Sequence, residues 1–213
     1  MAPRVKICGI TNLSDAELAV SRGAWAIGMV FHSESPRFCD TSEAAEIGAA
    51  LKRRVELVGV FVNAPLDHVV ALAEGSSLSM LQFHGDEGPA YCQEAARRTG
   101  LKVIKAARVR DAASVRALQT YHTDFHMLDT YVPGRPGGTG ERFDWSLAAE
   151  HTGSVPVILS GGLLPENIGE AIATVHPFAI DVASGVESVP GRKDPDKLSR
   201  LFESVRKGAA SRA

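Results

Sequence analysis

Residues 55–83 read VELVGVFVNAPLDHVVALAEGSSLSMLQF and contain one full unit of the pattern that decides the fold. The apolar, β-branched run Val55–Val62 predicts a strand. The amphipathic segment Leu66–Glu74 predicts a helix after it, and the run Ser79–Phe83 predicts the next strand. A strand, a helix and a second strand in this order are typical of two parallel strands joined by a helical crossover.

The same alternation continues in both directions along the chain. Strands are predicted at Val5–Cys8, Trp25–Phe31, Val55–Val62, Ser79–Phe83, Lys102–Ala107, Phe125–Asp129, Val155–Leu159 and Phe178–Val182. Helices are predicted at Ser14–Arg22, Ser42–Arg53, Leu66–Glu74, Gly88–Thr99, Ala112–Gln119, Trp145–Thr152, Pro165–Thr174 and Pro195–Lys207. Eight strand–helix units favour an α/β fold of the closed (β/α)8 type, a TIM barrel, over an open doubly wound sheet.

The chain shows no internal boundary. No linker rich in proline or serine divides it, so residues 1–213 are expected to form a single barrel domain. A capping box formed by Ser14 and Glu17 is predicted to start the first helix. Thr41 or Ser42 is predicted to cap the second helix.

Composition argues against several classes of protein. The net charge is −2 for 213 residues, so neither nucleic acid nor a membrane surface is expected as a partner. The start of the chain lacks the apolar run of a signal peptide. Cys8, Cys39 and Cys92 are too widely spaced for a disulfide framework or a structural zinc site. We therefore expect a cytoplasmic protein, and its oligomeric state stays open between monomer and homodimer.

Two candidate catalytic groups lie at predicted strand ends, where barrels of this type carry their active sites. Because side chains alternate along a strand, Lys6 and Cys8 should both point into the barrel, with Cys8 at the rim. Asp129 should point inward at the rim of the sixth strand. Closure makes the first and eighth strands neighbours, so Asp181 is predicted to pair with Lys6, whose buried charge would otherwise be costly. The alternatives are a small core residue for Cys8 and a loop cap for Asp129.

Glycine-rich segments late in the chain predict a phosphate site. Loops after strands seven and eight of such barrels often bind phosphate through backbone N–H groups, which glycine allows to approach the anion closely. The segments are Gly-Gly-Thr-Gly at 137–140, Ser-Gly-Gly at 160–162 and Ala-Ser-Gly-Val-Glu at 183–187. The predicted phosphate-binding residues are Gly138, Gly161, Gly162, Ser184 and Gly185. We expect a phosphorylated small molecule as the ligand.

Four further polar residues are candidates for the same site. Arg37 either holds a ligand carboxylate through its two-pronged guanidinium or is an exposed loop arginine. Gln82 and His84 share the inward face of the fourth strand and are predicted to contact the ligand. His84 precedes two acidic residues, but no second histidine has fitting spacing, so no metal is predicted. Lys105 is either a Schiff-base lysine or a structural charge.

These segments, taken in order, resemble the phosphoribosylanthranilate isomerase family of tryptophan biosynthesis. The resemblance covers nearly the whole chain. The motifs that carry it are KICGIT at 6–11, SPR at 35–37, VGVFVN at 58–63, LQFHGDE at 81–87, LDT at 128–130, GGTG at 137–140, FDW at 143–145, LSGGLLPENI at 159–168, DVASGVES at 181–188 and PGRKD at 190–194.

The resemblance implies an activity and a role for particular residues. It implies an Amadori rearrangement of N-(5′-phosphoribosyl)anthranilate that needs neither cofactor nor metal. In the matching motifs, Cys8 corresponds to the general base, Asp129 to the general acid and Arg37 to the residue that holds the anthranilate carboxylate. Asp181 falls where the family places a carboxylate that faces the substrate, which is compatible with its predicted pairing to Lys6.

Three other functions fit parts of the sequence. A lyase could use Lys105 to form a Schiff base with a phosphosugar, and a non-catalytic barrel could bind a phosphosugar as a sensor. A broader isomerase would also accept an aminoaldose of histidine biosynthesis. Barrels with that dual activity usually carry aspartates on strands one and six, whereas strand one ends here in Cys8.

Overall fold

Eight parallel strands form a closed barrel in the order β1 to β8, and β8 pairs with β1. The computed structural model describes residues 2–130 and 144–210, with side chains up to residue 208. The strands are β1 Arg4–Cys8, β2 Ala26–Val30, β3 Glu56–Phe61, β4 Met80–Phe83, β5 Lys102–Val109, β6 Phe125–Thr130, β7 Val157–Leu159 and β8 Ala179–Val182. The predicted α/β barrel is confirmed.

Helices cover the outside of the barrel. They are α1 Leu13–Ser21, α2 Thr41–Leu51, α3 Leu66–Gly75, α4 Pro89–Thr99, α5 Ala112–Arg116, α6 Ile168–Val175 and α7 Pro195–Ala210. Short 3-10 helices lie at Ala117–Thr120, Trp145–Glu150 and Ser184–Val186. No helix among the described residues is both long enough and apolar enough to cross a membrane.

The sequence misplaced two helix starts. Helix α1 begins at Leu13, one residue earlier than predicted, and the side chain of Asn12 caps it by accepting from the Asp15 backbone N–H. Ser14 therefore lies inside the first turn, and the predicted capping box is wrong. Helix α2 is capped by Asp40, whose carboxylate accepts from the Ser42 backbone N–H. In both cases the short polar side chain just before the first helical residue satisfies an N–H that the helix leaves free.

The helix predicted at Trp145–Thr152 is also wrong. The structure has a 3-10 helix at Trp145–Glu150 instead. The chain leaves that helix at His151, whose ring nitrogen Nε2 lies 2.8 Å from Nδ1 of His126 on β6. The six residues make about two turns of 3-10 helix, and the hydrogen bond then joins the end of this segment to the barrel wall.

The barrel wall separates two layers of packing. The inner layer contains Ala26, Val58, Met80, Ile104, Ala106, Phe125, Met127, Ile158 and Ala179. The outer layer packs the opposite faces of the strands against the helices and includes Val5 and Ile7, as strand alternation predicts. The inner layer ends below the C-terminal rim, where polar side chains replace apolar ones.

A two-stranded hairpin follows β8 and was not predicted. Its strands are β9 Glu187–Val189 and β10 Arg192–Lys193, and they pair antiparallel. Asp194 then starts the chain into α7 by accepting from the backbone N–H groups of Asp196 and Lys197. The hairpin lies against the end of β1, because the Lys193 ammonium reaches the Cys8 carbonyl oxygen.

Candidate active site

A cavity of about 460 Å³ opens at the C-terminal ends of the strands. This is the size of a pocket for a small organic ligand. Most of the predicted site residues line it: Cys8, Arg37, Gln82, His84, Asp129, Gly161, Gly162, Asp181 and Ser184. Gly185 lies behind this lining, and Gly138 lies outside the described residues. Strands far apart in the sequence therefore bring their rim residues to one place.

Cys8 ends β1 and points into the cavity above Lys6. The residue paired with it on β2 is Gly28. A Cβ atom at position 28 would lie 2.9 Å from the Cys8 sulfur and 2.9 Å from the Lys6 nitrogen. Only glycine leaves room for the thiol and the ammonium to lie side by side at this point.

Lys6 is fully buried, at 0% exposure, and its ammonium lies 2.8 Å from Oδ1 of Asp181 on the neighbouring strand. The predicted pairing is confirmed. Burial by itself would lower the pKa of Lys6, but the charges of Asp181 and of the Cys8 thiolate outweigh it and raise the pKa above its ordinary value. Its partners therefore favour the charged form of Lys6 beneath Cys8.

The Cys8 thiol is subject to opposing influences. Burial raises its pKa above the ordinary value, and the negative charge of Asp181 adds to this effect. The positive charges of Lys6 and Lys193 lower the pKa, and a hydrogen bond from Lys6 acts in the same direction. The thiol thus has a cationic partner ready to stabilise the thiolate when it forms.

Asp129 is held by a chain of hydrogen bonds from β4. The Nε2 atom of His84 lies 2.9 Å from Oδ2 of Asp129, and Nδ1 of His84 lies 3.1 Å from Nε2 of Gln82. Since the amide nitrogen of Gln82 can only donate, Nδ1 of His84 accepts and the ring proton sits on Nε2. His84 therefore donates to Oδ2 of Asp129, which lines the cavity.

Two buried polar atoms close to these hydrogen bonds have no hydrogen-bond partner among the described residues: Oε1 of Gln82 and Oγ1 of Thr130. Both residues line the cavity. A buried polar atom without a partner costs free energy, so such atoms usually meet a ligand or an ordered water. Their position indicates a ligand with hydroxyl or other polar groups.

The loop after β7 approaches the end of β6 very closely. Gly161 has φ +87°, and a Cβ atom there would overlap Oγ1 and the backbone nitrogen of Thr130. At Gly161 only backbone atoms face the cavity. Gly162 and Ser184, the first residue of the 3-10 helix at Ser184–Val186, also line it. The first N–H groups of a helix have no acceptor within it, which suits an anion.

Arg37 is not the exposed loop arginine of the alternative interpretation. Its side chain is 12% exposed and is paired with Glu187, with its Nη2 atom 2.7 Å from Oε2. Lys193 lies on the other side of Glu187, at 2.9 Å from Oε1. Neither Glu187 nor Lys193 has a role predicted from the sequence. The only signal was that both fall in motifs of the resemblance, DVASGVES and PGRKD.

No group of three or more histidine, cysteine, aspartate or glutamate side chains suited to a metal ion occurs within residues 2–130 and 144–208. The cavity thus brings together a thiol, a carboxyl held by a histidine, a second carboxyl on Asp181, the Gln82 amide, an arginine and two glycine-containing loops. The family model for N-(5′-phosphoribosyl)anthranilate (PRA) isomerase matches residues 5–204.

The chain belongs to the N-(5′-phosphoribosyl)anthranilate isomerase family.

Curated members of the family match over almost their full length. The isomerase of Citrifermentans bemidjiense is 49% identical over 204 residues, which cover 96% of this chain and 97% of that protein. The isomerase of Geobacter sulfurreducens is 48% identical over 204 residues, with coverage of 96% and 97%. The resemblance inferred from the motifs is confirmed, and the protein is an enzyme, a phosphoribosylanthranilate isomerase of tryptophan biosynthesis.

Solved isomerases share the fold. The Thermus thermophilus phosphoribosyl anthranilate isomerase superposes with a TM-score of 0.87 at 38% identity, covering 96% of this chain and 98% of that one. Another isomerase was solved in complex with reduced 1-(o-carboxyphenylamino)-1-deoxyribulose 5-phosphate. It superposes with a TM-score of 0.82 at 38% identity and covers 96% and 99% of the two chains.

The family membership and the contacts of Lys105 argue against two of the alternative functions, the sensor and the lyase. A non-catalytic sensor is wrong, because the family consists of enzymes. The lyase that would use Lys105 has no geometric support, since Lys105 is not among the described residues that line the cavity. Its ammonium is 2.9 Å from Oε2 of Glu87 and 2.7 Å from the Gly85 carbonyl oxygen. Lys105 is a structural charge.

Proposed function

We propose that Cys8 is the general base and Asp129 the general acid of the isomerisation. The observation that carries this proposal is that both residues, from β1 and β6, line one cavity with Arg37 and the two glycine-containing loops. The substrate we assign to this cavity is N-(5′-phosphoribosyl)anthranilate, and the product is 1-(2-carboxyphenylamino)-1-deoxyribulose 5-phosphate.

The reaction moves one proton at each of two centres. Asp129 gives its proton to the furanose ring oxygen, the C1′–O bond breaks, and the nitrogen lone pair forms an iminium. The Cys8 thiolate then takes the proton from C2′, and the electron pair of that C–H bond forms the C1′–C2′ double bond of an enolamine. Solvent protonates C1′ and takes the enol proton to give the ketone, and proton exchange with solvent returns Asp129 to the acid and Cys8 to the thiolate. No electrons leave or enter, so the acid and the base suffice.

Lys6 supports the base. A free thiol has a pKa of about 8.5, so only about 3% is thiolate at neutral pH. The buried ammonium beneath Cys8 opposes the burial that raises the pKa of this thiol. It also provides a fixed positive charge next to the sulfur in the anionic state that the reaction needs, without any rearrangement of the site.

His84 and Gln82 support the acid. In the hydrogen-bond pattern of the structure, His84 donates to Oδ2 of Asp129, so the other carboxyl oxygen, Oδ1, is the one that meets the ribose ring. The unpartnered Oε1 of Gln82 and the cavity side of Asp181 are suited to ribose hydroxyls. We assign Gln82, His84 and Asp181 to substrate binding on these grounds.

The two ends of the substrate are anionic. We assign the anthranilate carboxylate to Arg37, because a guanidinium binds a carboxylate through two parallel hydrogen bonds. We assign the phosphate to the loops after β7 and β8, through Gly161, Gly162, Ser184 and Gly185. Gly138 belongs to the same proposed phosphate group by its motif alone. We also propose that residues 1–213 form one barrel domain.

The assignment is tested by following the loss of fluorescence of phosphoribosylanthranilate with purified protein in the presence of a chelator. We expect Cys8→Ala and Asp129→Asn each to lower kcat by at least about 10²-fold, the usual contribution of a general acid or base. Cys39→Ala is the matched control, because it removes a buried thiol outside the cavity lining. Normal turnover in either active-site variant would refute its role, and an unaffected rate in the control is required.

A further inference from the structure

The hairpin of β9 and β10 carries two buried charges that no step of the proposed reaction uses. Glu187 lies at its first residue and Lys193 at its last, and their side chains are 4% and 0% exposed. Pro190, in the turn between the two strands, lines the cavity. Burying two charges on a short hairpin is costly unless both are fully paired, so their partners indicate what they do.

Glu187 lies between two cations. Nε of Arg37 is 2.9 Å from Oε1 and 3.0 Å from Oε2, and Nη2 of Arg37 is 2.7 Å from Oε2. Lys193 donates to Oε1 at 2.9 Å. Burial by itself would raise the pKa of Glu187, but the hydrogen bonds and charges of Arg37 and Lys193 keep it below the ordinary value. The carboxylate is therefore ionised at neutral pH.

The geometry at Arg37 leaves one edge of the guanidinium unused. A guanidinium has a side edge formed by Nε and Nη2 and an end edge formed by Nη1 and Nη2. Glu187 occupies the side edge. The end edge has no hydrogen-bond partner among the described residues, and Arg37 lines the cavity. Burial lowers the pKa of Lys193 and the charge of Glu187 opposes this, so the anion site rests on the geometry of the free Arg37 edge.

Lys193 connects this arrangement to the base. Its ammonium donates to the Cys8 carbonyl oxygen at 2.6 Å as well as to Glu187. One side chain thus fixes the end of β1, which carries the thiol, and the carboxylate that holds Arg37. Lys193 therefore helps to set the separation between the thiol and the free guanidinium edge, together with the packing of the Arg37 side chain on Gly9.

We propose that Glu187 and Lys193 are positioning residues that aim the end edge of Arg37 into the cavity and so select substrates that carry a carboxylate. The inference rests on the proposed function, in which Arg37 holds that carboxylate. Glu187 sets the orientation of the guanidinium, and Lys193 helps to set its distance from Cys8.

A purely structural role would look different. If the hairpin only closed the barrel mouth, replacing Glu187 would loosen the fold and weaken every ligand alike. A positioning role weakens only the ligand that uses the end edge of Arg37. The two roles are therefore separated by comparing two ligands that differ in the carboxylate and in nothing else.

The probes are the reduced product analogue, with its carboxyphenylamino group, and the same compound made from aniline, which lacks the carboxylate. Their Kd values are measured by calorimetry for the wild type, Glu187→Gln and Lys193→Met. Glu166→Gln is the matched control, because Glu166 forms an exposed ion pair with Arg200 at 3.7 Å, away from the cavity lining. We expect Glu187→Gln to weaken the carboxylated ligand by about tenfold or more and the aniline ligand by less than about twofold.

Lys193→Met is expected to act in the same direction and to show a second effect. Its positive charge lowers the pKa of Cys8, so removing it should move the rising limb of kcat against pH to higher pH. Glu187→Gln is compared in the same assay. If Glu187→Gln does not fold, as judged by circular dichroism, Lys193→Met carries the ligand comparison by itself.

Two results overturn the proposal, and they are distinguishable. Equal loss of both ligands, or no loss of either, in the folded variants would show that the hairpin is structural and would leave the role of Arg37 intact. A wild-type protein that binds the two ligands equally would refute the carboxylate site itself, and the inference would fall with it.

Discussion

Two buried lysine–carboxylate pairs lie on opposite sides of the same barrel wall. Lys6 and Asp181 face the interior beneath the cavity, with a 2.8 Å contact. Lys105 and Glu87 lie on the helix side of the wall, with a 2.9 Å contact. Both lysines are almost wholly buried, so the chemistry and the burial of the two pairs are closely matched.

The neighbours of the two pairs differ. Around Lys105, the Glu87 carboxylate accepts from the backbone N–H groups of Asn63 and Gly85, and the ammonium donates to the Gly85 carbonyl oxygen. The carboxylate and the ammonium of this pair both bind the backbone of loops. Around Lys6, the further neighbour is the Cys8 thiol, and Asp181 is open to the cavity. A matched pair therefore holds loops on one side of the wall and lies beneath the proposed catalytic base on the other.

The largest effect is expected from Lys105→Met. It leaves Glu87 buried without its cation and should lower the free energy of unfolding by about 3 kcal/mol, the lower end for a broken buried pair, because two backbone N–H groups remain on the carboxylate. Urea denaturation measures it, and Lys102→Met, an exposed lysine of the same strand, is the control. The kcat of the folded variant should be unchanged. A large fall in kcat would contradict the conclusion that the Lys105–Glu87 pair only stabilises loops.

Lys6→Met is expected to give the converse result. Without the ammonium, the pKa of Cys8 rises further, and each unit of rise lowers the thiolate fraction about tenfold. We expect kcat at neutral pH to fall by about tenfold or more and its rising limb to move to higher pH. The pH profile of Lys105→Met serves as the matched comparison. An unshifted profile for Lys6→Met would mean that Lys6 does not tune the thiol.

Asp181→Asn should change the thiol in the opposite direction. It removes the negative charge that raises the pKa of Cys8 and leaves the Lys6 ammonium free to pair with the thiolate. We therefore expect the pKa of Cys8 to fall. Ultraviolet thiolate absorbance reports it, and the same titration of Cys8→Ala subtracts the signal of Cys39 and Cys92, whose pKa values burial raises to about 12 and about 11. A pKa that stays or rises would contradict the electrostatic account of the inner pair.

The smallest effect concerns a second polar pair on the outer side, His126 and His151. Burial lowers the pKa of both rings, and Nε2 of His126 lies 3.0 Å from the Tyr121 carbonyl oxygen. Since the unfolded chain has the higher pKa, about 6.5, it binds more protons below that pH, and stability is lost as the pH falls.

The unfolding free energy should therefore decrease by about 1 kcal/mol between about pH 7.5 and about pH 5.5. His151→Gln should flatten this dependence, and the exposed His68→Gln should leave it as it is. If the unfolding free energy of His151→Gln depends on pH as strongly as that of the wild type, the His126–His151 pair is not the cause of this dependence.

The alternation of side chains along a strand predicted the contact between Lys6 and Asp181 but not the contact between Lys105 and Glu87. The inward direction of Lys6, Cys8 and Asp129 follows from strand parity, and closure of the barrel then makes Lys6 and Asp181 neighbours. Lys105 and Glu87 lie on β5 and in the loop after β4, and nothing in their spacing specifies how that loop folds back. From the sequence, Lys105 therefore fitted either of two roles, a Schiff-base lysine or a structural charge.

The contacts at the rim show the same limit. The sequence placed Gln82, His84 and Asp129 on inward faces, but the hydrogen bonds that join them depend on side-chain rotamers and on strand stagger. Glu187 and Lys193 were missed because the hairpin that carries them is too short for a periodic signal. The helix caps were misplaced by one or two residues because several adjacent polar side chains can serve, and only the chain path selects one.

The sequence by itself determined the barrel, the order of its strands and the face on which each rim residue lies. These follow from hydrophobic periodicity and from the alternation of side chains, which are local properties of the backbone. Only the tertiary structure decided which charges meet across the mouth, such as Arg37 with Glu187 and Lys193 with the Cys8 carbonyl. Such contacts join residues about 150 or more positions apart, and their ångström-scale distances are fixed by packing.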